Sequence, residues 1–282
     1  MNFAVMICTH GRPNAQHTLD FLRNNGYTGK IILVVDDEDD TVTDLMLKTY
    51  PNADTIKFDK QEWIDKSDTG TIENQRKCIL YAKNYCEHLA QNLKLEAFVI
   101  ADDDIFNLRY RYPEDGKLKS LKITQNLDGV INAYVDFMLS TDIVATGFGF
   151  TQFYFSGENS FSPENFLKYR VPYNFVFRNT KHKIDWMSWF GEDIITAVMY
   201  NKRGYFMQDI PYIQQEIKPL AKEAGGMKET YDSNSDIRLT MQNVMYLPSE
   251  LKAYRYNSKY MASIKKDNSF PMLVSSRYKK TS

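Results

Sequence analysis

The chain has 282 residues, and its 35 Lys and Arg against 36 Asp and Glu give a formal net charge of −1. A chain of this length can bury a core large enough to fold without disulfide or metal staples, and no apolar stretch approaches the roughly 20 residues that a transmembrane helix needs. Neutrality excludes neither an acidic substrate nor a nucleic-acid partner, because residues 252–282 hold eight basic residues against one acid, a net +7, and leave −8 for the first 251 residues.

The first third of the chain alternates short apolar runs with amphipathic segments. Strands are predicted at 3–8, 31–35, 54–58 and 97–100, and helices near 14–26, 41–49 and 71–92. Such alternation is typical of an α/β fold with a parallel sheet and right-handed crossovers. Ligands of these sheets bind beyond the carboxyl ends of the strands, and polar clusters follow three of the strands, at 9–13, 36–40 and 102–104.

The second half of the chain has a more mixed pattern. It predicts a helix within 119–139, aromatic-rich β segments at 147–150, 152–155 and 173–177, a helix at 194–202 and a strand at 204–208. Gly225-Gly226 and the polar stretch 228–236 predict a mobile loop. The three cysteines, Cys8, Cys78 and Cys86, lack metal-ligand spacing and are typical of reduced cytosolic thiols.

Three consecutive acids, Asp102-Asp103-Asp104, follow the fourth predicted strand. Because successive side chains of a strand point to opposite faces, Asp102 and Asp104 can project together while Asp103 turns away. Two carboxylates at such a position suit Mg²⁺ or Mn²⁺, with substrate phosphates completing the coordination shell. The alternative is a solvated acidic turn, although the preceding buried strand favours the metal site.

The loops after the first two strands carry groups that suit a nucleotide. Thr9, His10 and Arg12 offer hydroxyl, imidazole and guanidinium donors, and Asp36 and Asp37 can accept hydrogen bonds from a base or a ribose. No G-x-G-x-x-G or P-loop motif is present, which weighs against dinucleotide and P-loop enzymes. The alternative for His10 is a capping or packing role within the loop.

A further acidic pair, Glu192-Asp193, stands at the predicted start of a helix. A carboxylate here could act as a general base toward an acceptor hydroxyl, with the indoles of Trp186 and Trp189 forming an apolar acceptor wall. The alternative is a helix start stabilised by acids, next to two core tryptophans. Arg76, on a predicted helix, could bind a diphosphate bidentately, and its alternative is a solvated helix face.

In their order and spacing these motifs resemble the GT-A class of nucleotide-sugar glycosyltransferases, particularly its broad family-2-like group, over roughly residues 3–215. Thr9-His10-Gly11-Arg12-Pro13 is similar to the family's Thr-x-x-Arg-Pro loop, and Asp36-Asp37 to its nucleotide-contacting acid pair. The segment from Gly70 to Arg76 is similar to the one before its Arg-Asn helix. Asp102-Asp103-Asp104 resembles the metal-binding D-x-D, and Gly191-Glu192-Asp193 the Glu-Asp pair whose Asp is the base of inverting members.

The resemblance implies an α/β, GT-A (Rossmann-like) fold with a mixed, mostly parallel sheet flanked by helices and a basic C-terminal extension. The catalytic domain would span 1–216, with a nucleotide-sugar-binding half at 1–105 and an acceptor half at 106–216, and the mobile loop and basic aromatic extension would span 217–282. The implied cofactor is Mn²⁺ or Mg²⁺, and the implied donor is a UDP-sugar. Donor contacts would come from Thr9, His10, Arg12, Asp36, Asp37, Arg76 and Asp103.

The resemblance also implies a mechanism. A metal at Asp104 and Asp102 would neutralise the departing diphosphate, and Asp193, beside Glu192, would deprotonate the acceptor hydroxyl. This is single displacement with inversion; retention is the runner-up, since no second carboxylate is assigned as a nucleophile. Many members supply a metal-binding His after the Glu-Asp helix, whereas all four histidines here precede Glu192. Either Gln214 or Gln215 substitutes, or the acids and the diphosphate hold the metal alone.

The acceptor is predicted mainly from the basic tail, which interleaves cations with tyrosines in a pattern that suits nucleic acid. With Arg255 and Lys259 in the tail, and Lys181 and Lys183 before the proposed base, we expect a hydroxymethylated pyrimidine in double-stranded DNA, as in phage and TET/JBP-associated enzymes of this class. The alternatives are a glycan, lipid or protein acceptor, a nucleotidyltransferase-like enzyme, and a catalytically silent binding module. The expected location is the cytoplasm (the host's, if the chain is phage-encoded), with no membrane and no obligate protein partner.

Overall fold

The structure is a computed structural model that describes residues 2–40, 50–71, 75–149, 154, 157–161, 175–179, 184–218 and 235–265. The strands are β1 (Phe3–Cys8), β2 (Lys30–Asp36), β3 (Asp54–Phe58), β4 (Ala97–Asp102), β5 (Ile105–Glu114), β6 (Lys117–Lys122), β7 (Ile143–Gly149), β8 (Phe175–Arg178), β9 (Phe206–Ile217), β10 (Leu251–Tyr256) and β11 (Lys259–Ile264). The helices are α1 (His17–Asn24), α2 (Lys60–Lys66), α3 (Leu80–Asn92), α4 (Leu127–Leu139), α5 (Glu192–Lys202) and α6 (Asp236–Tyr246), with a 3₁₀ turn at Gly157–Phe161. No helix within these ranges is both long and apolar enough to cross a membrane.

The first nine strands form one mixed sheet in the order β3-β2-β1-β4-β8-β7-β9-β5-β6. Its strand pairings make seven of the nine run in one direction, with β8 and β5 opposed. Helices cover both faces: Val5 and Ile7 of β1 belong to a core with α1 and α4, whereas Ala4 and Met6 belong to a core with α2, α3 and α5. The predicted α/β fold with a mixed, mostly parallel sheet is confirmed.

The strands predicted in the first third are all present, and so are the helices that begin after β1 and within 119–139. The helix predicted over 71–92 is shorter than expected: α3 begins at Leu80, and residues 75–79 are not helical. There the Tyr81 hydroxyl donates to the Gln75 carbonyl at 2.5 Å, so a side chain satisfies a backbone acceptor that a helix would have used. The helix predicted at 41–49, most of the β segments predicted at 152–155 and 173–177, and the Gly225-Gly226 loop lie outside the described residues.

Two hairpins and two helices were not predicted. The first hairpin, β5–β6, extends the sheet, and the second, β10–β11, is a separate two-stranded sheet built from the start of the basic tail. The two helices are α2 and α6. The helix α6 packs against β10 and β11, and its Tyr246 hydroxyl donates to Asp68 at 2.7 Å. Glu250, just before β10, pairs with Lys202 of α5. Residues 236–264 therefore contact the sheet domain directly.

Candidate active site

The register of the parallel strands aligns the polar clusters along one edge of the sheet. Cys8 pairs with both Val34 and Asp102, so the residues that follow β1, β2 and β4 leave the sheet at the same level. The Thr9 amide continues the ladder by donating to the Val34 carbonyl at 3.2 Å. The three loops predicted to share a ligand site are therefore neighbours, as expected for carboxyl ends of parallel strands.

Thr18, at the start of α1, fixes the acidic turn between β4 and β5. Its hydroxyl donates to the Asp102 carbonyl at 2.5 Å and accepts from the Ile105 amide at 2.9 Å, and its own amide donates to the Asp103 carbonyl at 3.1 Å. One buried side chain thus holds both ends of the turn. The carboxylates of Asp102 and Asp104 are presented on a backbone that has little freedom to move.

Asp103 is the acid that turns inward. Its carboxylate is 4% exposed and accepts from the Thr9 hydroxyl at 2.7 Å and from Arg12 Nη1 at 2.6 Å. Gln16 adds a hydrogen bond to Thr9 at 2.8 Å. Although all three were predicted to contact the donor, in this structure Thr9, Arg12 and Asp103 bind one another. They tie the first loop to the acidic turn.

Asp102 and Asp104 form the candidate metal site. Desolvation raises the pKa of Asp102 to about 6, although the nearby positive charge of Lys83 acts to lower it. Desolvation and then repulsion from Asp102 and Asp103 raise the pKa of Asp104 to about 7. Asp104 Oδ1 is buried and has no hydrogen-bond partner among the described residues. Crowded hard oxygen atoms, with Asp104 Oδ1 lacking a donor, fit a divalent cation. The described ranges hold no cluster of three or more His, Cys, Asp or Glu side chains arranged as ligands, so a metal here would depend on substrate oxygens.

A buried lysine that the sequence analysis missed joins the second acidic pair to the first. Lys83 Nζ donates to Glu192 Oε1 at 2.7 Å, its side chain is 4% exposed, and its ammonium group lies 4.7 Å from the centroid of the Trp186 ring. Burial would lower the pKa of Lys83, but attraction to Glu192, Asp102 and Asp193 outweighs it and raises that pKa. The ammonium group therefore stays charged and is shared by acids from β4 and α5. The sequence feature that could have identified Lys83 is its place on the buried face of α3, which also includes Leu80 and Ala90.

Asp193 lies on the first turn of α5, the helix that follows Gly191. Desolvation, and then repulsion from Glu192, raise the pKa of Asp193 to about 7, while Lys83 acts in the opposite direction. A carboxylate with a pKa near neutrality is suited to accept a proton from a hydroxyl and release it later. Its electrostatic coupling to Asp102 connects it with the candidate metal site.

The second loop is organised by a histidine and a lysine. His10 Nδ1 lies 2.8 Å from Asp36 Oδ2, and Lys60 Nζ lies 3.3 Å from Asp36 Oδ1. The hydrogen bond to Asp36 raises the pKa of His10 despite its partial burial. Burial would raise the pKa of Asp36, but His10 and Lys60 outweigh it and lower that pKa. Asp36 is 7% exposed and engaged by the protein, whereas the neighbouring Asp37 is exposed.

Arg76 lies beside the same loop and not on a helix. It binds Glu38 through two of its nitrogens and donates to Gln61 Oε1 at 2.6 Å. The Glu38 hydrogen bond raises the pKa of Arg76. The residue predicted to hold a diphosphate is thus an ion-pair partner of the loop after β2.

Three groups predicted to bind the acceptor have different positions in the structure. Trp186 and Trp189 are 1% and 2% exposed, so the predicted acceptor wall is wrong: both rings belong to the interior, with Trp186 edge-on to Phe177. Lys181 and Lys183 lie outside the described residues. The remaining pair, Arg255 and Lys259, are exposed on the β10–β11 hairpin.

The two glutamines proposed as substitutes for the missing metal-binding histidine lie in β9. Gln214 and Gln215 are 2% and 1% exposed, and the Gln214 side-chain carbonyl accepts a hydrogen bond from Arg111. The oxygen of Gln214 is therefore already used. Gln215, the other candidate, and the alternative in which the acids and the diphosphate hold the metal alone both stay predictions.

A mixed α/β sheet with a D-x-D turn after β4 and a Glu-Asp pair facing it defines a nucleotide-sugar glycosyltransferase of the GT-A class. The model of the TET-associated glycosyltransferase family matches residues 3–226. The chain therefore belongs to the TET-associated glycosyltransferases and is a glycosyltransferase. The family match ends before α6 and the β10–β11 hairpin. No curated protein sequence matches the chain.

Several solved structures align with the chain at low sequence identity. Glucosyl-3-phosphoglycerate synthase from Mycobacterium tuberculosis aligns with a TM-score of 0.49 and 8% identity, covering 94% of this chain and 88% of that one. The same synthase has been solved with Mn²⁺, UDP-glucose and phosphoglyceric acid. TarS 1–349 of S. aureus in complex with UDP aligns with a TM-score of 0.42 and 12% identity, covering 76% of this chain and 60% of that one. A cytidylyltransferase from Leptospira borgpetersenii aligns with a TM-score of 0.39 and 11% identity, covering 75% and 76%.

Proposed function

We propose that this glycosyltransferase is metal-dependent and inverting, and that it moves a sugar from a UDP-sugar to a hydroxymethylated pyrimidine in double-stranded DNA. The observation that carries the proposal is that Asp102 of β4 and the Glu192-Asp193 pair of α5 share the buried ammonium group of Lys83, while Asp104 lies beside Asp102 in the same turn. Membership of the TET-associated family supports the same class of reaction.

Asp104 and Asp102 are the residues that would hold Mn²⁺ or Mg²⁺. When bound, such a cation offsets the negative charge that develops on the departing diphosphate. The buried Asp104 oxygen without a donor supports this assignment, because an isolated carboxylate oxygen is costly unless a proton or a cation meets it. Asp37 is exposed, and besides the hydrogen bond that its Oδ1 accepts from the Lys60 amide at 2.9 Å it can accept from the nucleotide.

Asp193 is the proposed general base. It accepts the proton of the acceptor hydroxyl while the hydroxyl oxygen forms a bond to the anomeric carbon. The bond from that carbon to the diphosphate oxygen breaks, and its electron pair leaves with the nucleoside diphosphate. Attack opposite the leaving group inverts the anomeric centre. Glu192 contributes by anchoring Lys83 at 2.7 Å, and Lys83 in turn offsets the negative charge around Asp193.

The DNA acceptor is proposed from the β10–β11 hairpin. The described part of the basic tail carries Lys252, Arg255, Lys259 and Lys265 and no acidic residue. Tyr254 and Tyr256, both on β10, are 37% and 62% exposed. Cations that follow a phosphate backbone, with aromatic faces between them, are what nucleic-acid binding requires.

The reaction is tested by incubating the protein with Mn²⁺, a panel of UDP-sugars and duplex DNA containing 5-hydroxymethylcytosine, followed by mass analysis of the nucleosides. Asp193→Asn should lower turnover at least about 100-fold with nearly unchanged donor affinity, since it removes only the base. Asp104→Ala should weaken metal-dependent donor binding. Asp115→Asn, in the exposed β5–β6 turn, is the matched control and should behave as wild type.

Turnover of Asp193→Asn close to wild type would contradict the base assignment. Release of pyrophosphate in place of UDP would indicate a nucleotidyltransferase, and retained anomeric configuration would contradict single displacement. Transfer to a glycan, lipid or protein but never to DNA would refute the acceptor. The hairpin is tested separately with the triple variant Lys252→Gln, Arg255→Gln, Lys259→Gln. Its affinity for duplex DNA should fall less steeply with salt than that of the wild type, with a slope smaller by about three.

A further inference from the structure

An exposed aromatic ring stands two residues beyond the acidic turn. Phe106, the second residue of β5, is 41% exposed, whereas its neighbours Ile105, Asn107 and Leu108 are 4%, 2% and 2% exposed. Single exposed apolar side chains are common on protein surfaces, so the exposure of Phe106 becomes informative only through its surroundings next to Asp104.

A β-bulge between β5 and β9 lies at Phe106. Ile105 pairs with Ile217 and Asn107 pairs with Glu216, so Phe106 is an extra residue with no partner across the ladder. Bulges of this kind re-aim a side chain and occur often next to active sites. The bulge leaves Phe106 unpaired in the ladder, two residues from Asp104.

A cation accompanies the ring. The ammonium group of Lys218 lies 5.3 Å from the Phe106 ring centroid, within the range of a cation–π contact. The Lys218 amide donates to the Asp104 carbonyl at 3.0 Å, so the backbone that carries the cation is fixed to the acidic turn. Ring, cation and candidate metal ligand thus form one local unit.

We propose that Phe106 and Lys218 form the platform that binds the acceptor nucleotide, with the base stacked on the ring and a phosphate next to the ammonium group. This inference rests on the proposed transfer to DNA and deepens it. Every base presents a π-face that an exposed aromatic ring can stack against. The acids at 102, 104 and 193 would repel a DNA phosphate, and Lys218 supplies an opposing charge at that point.

The platform is tested with duplex DNA containing 5-hydroxymethylcytosine, UDP-glucose (or the sugar found active above) and Mn²⁺. Phe106→Ala should raise the KM for DNA about ten-fold, and should weaken binding of the fluorescently labelled duplex by a similar factor. Phe106→Trp, which keeps an aromatic face, should remain within about two-fold of wild type. Acceptor-independent hydrolysis of the donor and the KM for the donor should not change.

Tyr110→Ala provides the matched control, because Tyr110 lies on the same strand, six residues along the chain from Asp104, is 38% exposed and pairs with Ile213. It should leave the KM for DNA unchanged. Lys218→Gln should lower the salt dependence of DNA binding by about one unit of slope, and Lys218→Arg should restore it.

The outcomes separate this inference from the function on which it rests. If DNA is glycosylated but Phe106→Ala keeps the wild-type KM for DNA, the platform is refuted and the proposed function stands. If Phe106→Ala raises the donor KM instead, the ring contacts the donor and the platform is again refuted. If the wild type neither binds nor glycosylates DNA, both are overturned.

Discussion

Replacing Lys83 by Met tests whether a buried cation holds the acidic site together. The substitution keeps a side chain of similar length and removes only the charge. It leaves Glu192 without its 2.7 Å partner, and Asp102 and Asp193 without a shared counter-charge. With side-chain exposures of 4% for Lys83 and 13% for Glu192, water can replace little of the lost interaction.

Breaking a buried ion pair by removing one partner costs about 3–5 kcal/mol. Protonation of a crowded acid near neutral pH relieves part of the repulsion, so we expect the lower end, about 3 kcal/mol, in the free energy of unfolding. Total stabilities of about 5–15 kcal/mol leave such a variant folded at room temperature. Turnover should also fall, because the position of Glu192 and the charge around Asp193 both change.

The assay is urea unfolding followed by circular dichroism, with Lys66→Met as control. Lys66 pairs with Glu62 on the surface of α2, where both side chains are about half exposed, so its replacement should cost less than about 0.5 kcal/mol. The double variant Lys83→Met, Glu192→Gln should recover at least about 1 kcal/mol, since no unpaired Glu192 charge remains. Equal costs for Lys83→Met and Lys66→Met, or simple additivity in the double variant, would refute the reasoning.

Two further predictions concern the backbone before Glu192 and the pH dependence of the second loop. Gly191 has φ +67°, and a Cβ there would collide with the side chain of Asn243, whereas Gly116 has φ +70° and open space around it. In the same unfolding assay, Gly116→Ala should cost about 1 kcal/mol and Gly191→Ala clearly more. Equal costs would contradict the close approach of α6 to Gly191. Because the pKa of His10 is raised, the stabilisation from the His10–Asp36 pair is fully present below pH 6.5, the ordinary His pKa, and is lost as the pH rises through the raised pKa. Because the pKa of Asp36 is lowered, the same stabilisation is lost on the acid side only below pH 3.8, the ordinary Asp pKa. The Tm difference between wild type and His10→Gln should therefore be larger at about pH 5.5 than at about pH 9, and a difference independent of pH would exclude the charged pair.

The fold was predictable where side-chain chemistry repeats along the chain. The apolar runs that become β1, β2 and β4 are buried on both faces, and this burial is why they read as continuous hydrophobic segments. Hairpin β5–β6 was missed because most of its residues are exposed or half-buried and polar, which gives no apolar periodicity. The shortened start of α3 was missed because a local side-chain hydrogen bond, from the Tyr81 hydroxyl to the Gln75 carbonyl, is not visible in the apolar periodicity of the segment.

The candidate site shows the same division. Asp102, Asp104 and Asp193 could be proposed as site residues from the sequence because the order of the acidic motifs along the chain resembles that of the family. Lys83 could not, because a lysine in a helix is ordinary until the helix packs with that face inward. The indoles of Trp186 and Trp189 were assigned to the acceptor by composition, and burial of both rings overturned the assignment.

The sequence by itself determined that this chain is an α/β protein with acids at the carboxyl ends of its strands, because strand period, helix period and local charge are properties of neighbouring residues. Only the tertiary structure decided which polar groups face a ligand and which face each other. Asp103 binds Thr9 and Arg12. Asp36 binds His10 and Lys60, and Glu192 binds Lys83. Each of these pairs joins residues at least 24 positions apart. A buried charge needs a partner that lies close to it in the folded structure, and the order of residues along the sequence does not show which residue that is.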